Sequence, residues 1–335
     1  MKFAFPLLAG LPLIATTGMN CTVIQLDTLS APVDENQVYR LCRSPDHTGP
    51  LPLHLFAHGD GSFGSWTEAY DDYITYFTDA GFVVAEYYSC GLDWACGIKG
   101  DEDFLEMLKI AASMRDSANE NVDFNYGISA SGHSSGARAA LMIAAARDTD
   151  DYLPDRIKDK ITPSMSDMLE ILAAVIPNHP DGMYDPTNHE NPNVPGFAIS
   201  ETPTLILTGE WDYVELEGSA FRDWNNITSP SRVYMNVAHA RHGECSDHKP
   251  PRGAPISTDF LSCHVKADKE SCSRIYDSEA ESYYGAAEYL AQGDHARNNA
   301  IVKTADGEEI STPYVASHRT AAIDKSGNKS DNGRL

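Results

Sequence analysis

Tyr126-Gly127-Ile128-Ser129-Ala130-Ser131-Gly132-His133-Ser134-Ser135-Gly136-Ala137 is the stretch on which the reading of this chain turns. Tyr126 to Ser131 has strand character. Ala137 to Arg147 is apolar nearly all round, which predicts a helix packed at the centre of the molecule. Between them stands Gly132-His133-Ser134-Ser135-Gly136, a G-x-S-x-G pentapeptide. In a strand–turn–helix setting such a pentapeptide is a nucleophile elbow. The turn is so tight that it needs glycine on both sides, and it holds a serine hydroxyl, here Ser134, exposed at the strand end. The helix that follows aims its N-terminal amides at any negative charge forming there. A glycine-rich nucleotide turn is the competing reading, but neither G-x-G-x-x-G nor a Walker lysine is present.

Strand and helix patterns alternate on both sides of the elbow. Leu53 to Ala57 and Gly81 to Ala85 are short apolar runs, with a helix pattern over Tyr70 to Ala80 between them. Phe104, Met107, Leu108, Ala111 and Met114 recur at helical spacing behind Asp101-Glu102-Asp103, acids that suit a helix start. Leu172 to Ile176, Thr204 to Leu207 and Val233 to Val237 read as further strands. This alternation predicts an α/β fold with a mostly parallel central sheet and helices on both faces. The charged stretch Asp148 to Met168 reads as a solvated excursion. After about residue 243 the pattern weakens to Cys-bearing loops, a helix-like Ala280 to Ala291 and a polar tail.

A serine hydroxyl at its ordinary pKa is a poor nucleophile and needs a base within hydrogen-bond reach, oriented by a third group. On this architecture the acid and the histidine follow the serine in that order, on loops after later strands. Thr208-Gly209-Glu210-Trp211-Asp212 ends one strand, turns at Gly209 and presents carboxylates. Asp212 is the better placed, with Glu210, Glu215 and Glu217 as competitors. After the last strand, Ala238-His239-Ala240-Arg241-His242-Gly243 offers two bases. His242 lies further out and precedes a glycine that frees the loop to turn, whereas His239 can still belong to the strand end. An oxyanion needs backbone donors, expected from Ser135 and from the first loop His58-Gly59-Asp60-Gly61, where Asp60 is favoured over Gly61. His239, His242, Cys245 and His248 also have metal-like spacing, but no ligand pair stands on a clear helix, so no metal is expected.

These motifs together resemble the α/β-hydrolase-fold serine esterases, nearest in pattern to the chlorophyllase, dienelactone hydrolase and polyester-hydrolase (cutinase-like) branch. The resemblance runs over residues about 30 to 245, through His58 to Gly61, Ala80 to Val84, Gly132 to Gly136, Ala174 to Pro177, Pro203 to Asp212 and Val233 to His242. In that branch the base commonly ends a Gly-Ala-Ser-His stretch, whose place His239-Ala240-Arg241-His242 takes, which favours His242. The resemblance implies the α/β-hydrolase fold and carboxylic ester hydrolysis by a Ser134–His242–Asp212 triad without metal or organic cofactor. Two departures stand out. Asn178 occupies a position that is usually tryptophan in the polyester hydrolases, and Asp60 replaces an aromatic of their first loop.

Composition bounds the rest. The 335 residues are 42% hydrophobic and 22% charged, so a sizeable core can form, and the net charge of −24 repels nucleic acid and anionic membrane surfaces. Met1-Lys2 followed by an apolar run to Thr17 reads as a signal peptide over 1–20, too short and too proline-broken to span a membrane. The expected organisation is a catalytic domain over 21–295, with a Cys-bearing extension from about 245, and a flexible polar tail over 296–335. Seven cysteines fit export, with Cys90–Cys96 and a pair among Cys245, Cys263 and Cys272 as plausible local bridges. The chain therefore reads as a secreted, extracellular enzyme acting on a small-molecule or lipid-like ester, without nucleic-acid partners or stable membrane insertion. Chlorophyllase-like or peptidase activity is the alternative, as is an extracellular binding protein that kept the scaffold.

Overall fold

The computed structural model describes residues 18–25, 38–59, 69–88, 100–149, 152–153, 155–180, 198–215, 220, 223–224, 226–237, 240–247, 251–276, 299–303 and 309–310. Its strands are β1 (Asn20–Gln25), β2 (Val38–Arg43), β3 (Leu53–Ala57), β4 (Val83–Tyr88), β5 (Ile128–His133), β6 (Leu172–Asn178), β7 (Thr204–Gly209), β8 (Arg232–Val237), β9 (Asn299–Lys303) and β10 (Glu309–Ile310). They form one ten-stranded sheet in the order β1-β2-β4-β3-β5-β6-β7-β8-β9-β10. The run from β4 to β8 is parallel throughout. Antiparallel strands extend it at both edges. The helices are α1 (Asp71–Asp79), α2 (Gly100–Asp116), α3 (Ser135–Asp148), α4 (Pro163–Glu170), α5 (Ala254–Lys266) and α6 (Lys269–Tyr276), beside short helical turns at Asp155–Lys158 and Glu244–Asp247.

From β3 to β8 the sheet is buried on both faces, and the two-residue period of a strand sorts its side chains between them. Leu53, Leu55 and Ala57 of β3 join the core that contains Phe104 and Leu108 of α2, Ala140 and Ile143 of α3 and Met168 of α4. Phe56, between them in sequence, faces the opposite core with Tyr73 and Phe77 of α1 and Phe260 of α5. His54 shares that second face fully buried, and its ring nitrogens lie 2.9 and 2.7 Å from the hydroxyls of Ser129 and Ser131 on β5. Burial pushes its pKa down to about 3, so the ring stays neutral.

Topology places the site. From β3 the chain passes to β4 on one side of it and then returns to β5 on the other. The helices α1 and α3, which follow β3 and β5, pack in opposite cores. The carboxyl ends of β3 and β5 thus flank a point where the winding reverses, the place where open parallel sheets form a binding crevice.

Three expectations change. Among its described residues, the stretch Asp148 to Met168 is not a solvated excursion: Leu153, Ile157, half-buried Ile161 and Met165 recur every fourth residue on an inward face, and the Asp148 side chain is buried against Arg147, while Asp155, Asp159, Lys160 and Asp167 are exposed. Cys263 and Cys272 stand on α5 and α6, joined by a disulfide, rather than on loops. Within the supposed polar tail, Asn299–Lys303 pairs antiparallel with β8, and its Ala300-Ile301-Val302 core is the kind of apolar, β-branched run that strands favour. A second disulfide joins Cys21 of β1 to Cys42 of β2, directly opposite it in register. The apolar leader, Cys90, Cys96 and Ala280 to Ala291 lie outside the described residues.

Candidate active site

The elbow forms as its sequence demands. Ser134 stands between β5 and α3 with φ +55° and ψ −119°, a conformation that costs any residue bearing a β-carbon. A β-carbon on Gly132 would overlap the backbone of Gly136, and one on Gly136 would overlap that of Ala57. Glycine at both positions is what lets β5 turn into α3 against the end of β3. The Ser134 amide donates to the Asn178 carbonyl of β6 at 3.0 Å, which anchors the turn to the neighbouring strand. Ser135 opens α3, so its amide belongs to the helix end that carries partial positive charge.

Asp212 lies just past β7, buried, in a turn closed by its own amide on the Gly209 carbonyl at 3.0 Å. The Trp211 amide donates to the Ala240 carbonyl at 2.8 Å, tying this turn to the loop that carries His242. The Asp212 carboxylate is fully engaged. Oδ1 accepts from the amides of Val214 (3.0 Å) and Glu215 (2.8 Å). Oδ2 accepts from Nδ1 of His242 at 2.9 Å and from Nδ1 of His179 at 2.8 Å. Burial alone would raise this carboxyl's pKa, but the bonds from His179 and His242 hold it far below the usual carboxylate range. With Nδ1 donating, His242 keeps a lone pair on Nε2, as a general base requires.

The third ring is His133, the residue before Ser134. Its Nε2 lies 2.7 Å from the backbone carbonyl of His242, its Nδ1 2.8 Å from the Tyr70 hydroxyl, and the Gly59 amide donates to that hydroxyl at 3.1 Å. A carbonyl can only accept, so Nε2 donates and Nδ1 accepts the Tyr70 proton. Burial, and then the neighbouring His242 and His179 rings, push the His133 pKa well below its ordinary value, which keeps this neutral tautomer in place.

The structure therefore brings Asp212 and His242 into direct contact and sets Ser134 beside them through His133. Among the described residues, Ser134 Oγ makes no hydrogen bond to the His242 ring. Nucleophile–base contacts are often long without substrate and tighten only in the complex. Asp60, Gly61, His239, Glu217 and His248 lie outside the described residues, and His58 turns its ring onto the Gly59 carbonyl at 2.7 Å. Sequence reasoning missed His179, Tyr70 and the part played by His133. His133 is the first of the two variable positions of the pentapeptide, and its place beside Ser134 was its signal in the sequence.

His179, Asp212 and His242 offer ligand atoms within 4.8 Å of one another. Two imidazoles and a carboxylate suit a divalent transition metal, but the same Nδ1 and Oδ2 atoms are already joined by the two short hydrogen bonds. No helix among the described residues is long and apolar enough to cross a membrane. Compared with known proteins, the chain matches no protein-family model and no curated protein sequence.

Proposed function

We propose that the chain is a secreted serine esterase with the α/β-hydrolase fold. Ser134 is its nucleophile, His242 its general base and Asp212 the acid that orients the base. The observation that carries this reading is the 2.9 Å bond from His242 Nδ1 to Asp212, at the same sheet edge as a strained serine on a strand-to-helix turn. The groups follow β5, β7 and β8 in the chain order serine, acid, histidine.

Ser134 Oγ adds to the ester carbonyl carbon as its proton passes to His242 Nε2, and Asp212 stabilises the imidazolium that forms. The carbonyl oxygen takes the negative charge and is held by the Ser135 amide and a first-loop amide, that of Asp60. His242 then returns the proton to the departing alkoxide, which leaves as the alcohol. Water, activated by the same base, cleaves the acyl-serine to the acid and restores the hydroxyl. The two disulfides support an oxidising, extracellular setting.

A panel of p-nitrophenyl esters from acetyl to palmitoyl, with feruloyl and pheophytin-type esters beside it, tests the proposal. Turnover of at least one ester, abolished in Ser134→Ala, supports it. No turnover of any would favour a binding protein on the same scaffold.

A further inference from the structure

His179 belongs to none of the positions assigned above, yet the fold strains to hold it. It lies one residue beyond β6 with φ +49°, the left-handed region that disfavours a side chain, and it is 1% exposed. Its amide donates to the Leu207 carbonyl at 2.7 Å, and its ring is packed so closely on Gly209 that a β-carbon there would come within 2.9 Å of Cε1. Both constraints aim Nδ1 at the carboxylate oxygen that His242 uses.

We infer that His179 is a positioning residue that sets the proton affinity of the His242 base by sharing Asp212 Oδ2 with it. The inference rests on the proposed triad. With two amides on Oδ1 and two imidazoles on Oδ2, every acceptor site of the carboxylate is filled. Each donor draws off negative charge, so an imidazolium at His242 gains less from this carboxylate than from one it holds alone. His179 also pins Oδ2 in place, keeping the proton on His242 Nδ1 and the lone pair on Nε2. The base therefore stays unprotonated to lower pH than the same pair without His179.

Among the described residues, the titratable groups facing the His242 ring are few. Asp212 comes from the end of β7, His179 from the end of β6 (ring centroids 5.8 Å apart) and His133 from the end of β5 (4.7 Å). Glu244, two residues on, turns its carboxylate to the amides of Arg252 and Gly253. His133 is held neutral by burial and does not gain charge while His242 titrates.

The test compares His179→Leu, which removes the donor, with His179→Asn, whose side-chain amide nitrogen occupies the place of Nδ1. The first readout is the titration of the His242 imidazole by NMR, which needs no activity. The second is the pH profile of kcat/KM on whichever p-nitrophenyl ester is turned over. In the leucine variant the His242 midpoint and the acid limb should both rise by about half to one pH unit. In the asparagine variant they should stay near wild type. An unmoved His242 midpoint in a folded leucine variant overturns the inference, as does a profile that only scales down equally at every pH. Absence of esterase activity with a shifted NMR midpoint would instead count against the proposed reaction, leaving the coupling of the two rings intact.

Discussion

His133 Nε2 donates to the backbone carbonyl of His242 across 2.7 Å, so the residue before Ser134 carries the main chain of the proposed base. Followed backward, the same chain of bonds runs through Tyr70 to the Gly59 amide at the end of β3. The first loop, the elbow and the base loop are thus held as one unit by a buried neutral ring. His133→Phe would take the donor from the His242 carbonyl and the acceptor from the Tyr70 hydroxyl proton, at a cost of about 1–3 kcal/mol in stability. Because the loop carrying His242 then loses this tie to the elbow, kcat/KM should fall about tenfold or more, since each 1.4 kcal/mol or so of misplaced base is a factor of ten. Tyr70→Phe should lose less. Urea denaturation and ester kinetics check both, and wild-type turnover in His133→Phe would show that the ring does not position the base.

The backbone of Ser134 is strained. At φ +55° a β-carbon costs roughly 1–3 kcal/mol, offset in part by the entropy glycine loses on folding, about 0.5–1 kcal/mol. Ser134→Gly should therefore melt at or above the temperature of Ser134→Ala, with both inactive. A glycine variant that melts several degrees lower would mean the turn is not under strain.

Gly59 is closed to any side chain for a different reason. A β-carbon there would stand 2.7 Å from His133 Nδ1 and 2.9 Å from the Ser134 β-carbon. Gly59→Ala should fold, because the clash involves two side chains at a loop, but it should push His133 off Tyr70 and lower turnover at least tenfold. By contrast, Gly132→Ala meets main chain and should fail to yield soluble protein. Expression yield, circular dichroism and ester kinetics separate the two outcomes.

Buried neutral imidazoles make the fold acid-sensitive. His54 titrates near 3 when folded and near 6.5 when unfolded, and the folded His133 is also held low. Above about pH 6.5 neither state binds a proton at these rings. Below it the unfolded chain binds protons that the folded chain does not, so stability falls as pH falls toward 3. The slope is about 1.4 kcal/mol per pH unit for each ring fully within that window. Urea midpoints should drop from pH 7 to pH 5, and His54→Phe should lose about one proton's worth of the slope. An equal slope in that variant would mean that His54 is protonated in the folded chain.

Much of the scaffold could be read in the sequence because its elements obey simple periods. Except for β5, the parallel strands from β3 to β8 are largely short apolar runs, α2 carries its buried residues at helical spacing, and α3 is apolar and buried nearly all round. The positions of Ser134 on a strand-to-helix turn and of Asp212 beside His242 at strand ends left local marks in the sequence: a tight glycine turn, a strand end and a glycine-flanked loop. What stayed hidden has no local mark. The four-residue apolar recurrence through 153–165 is masked by the charges between its members. His179 works through a strained φ and a contact with Asp212, 33 residues away. Cys21 meets Cys42 only because β1 folds back on β2 in one register.

The most direct measurement is intact-mass and peptide mapping after treatment with an organophosphorus probe. One adduct per chain on Ser134, absent in Ser134→Ala and formed far more slowly in His242→Gln, is the expected result. A hydroxyl that takes no adduct, or one that reacts at the same rate without the imidazole of residue 242, would contradict the triad.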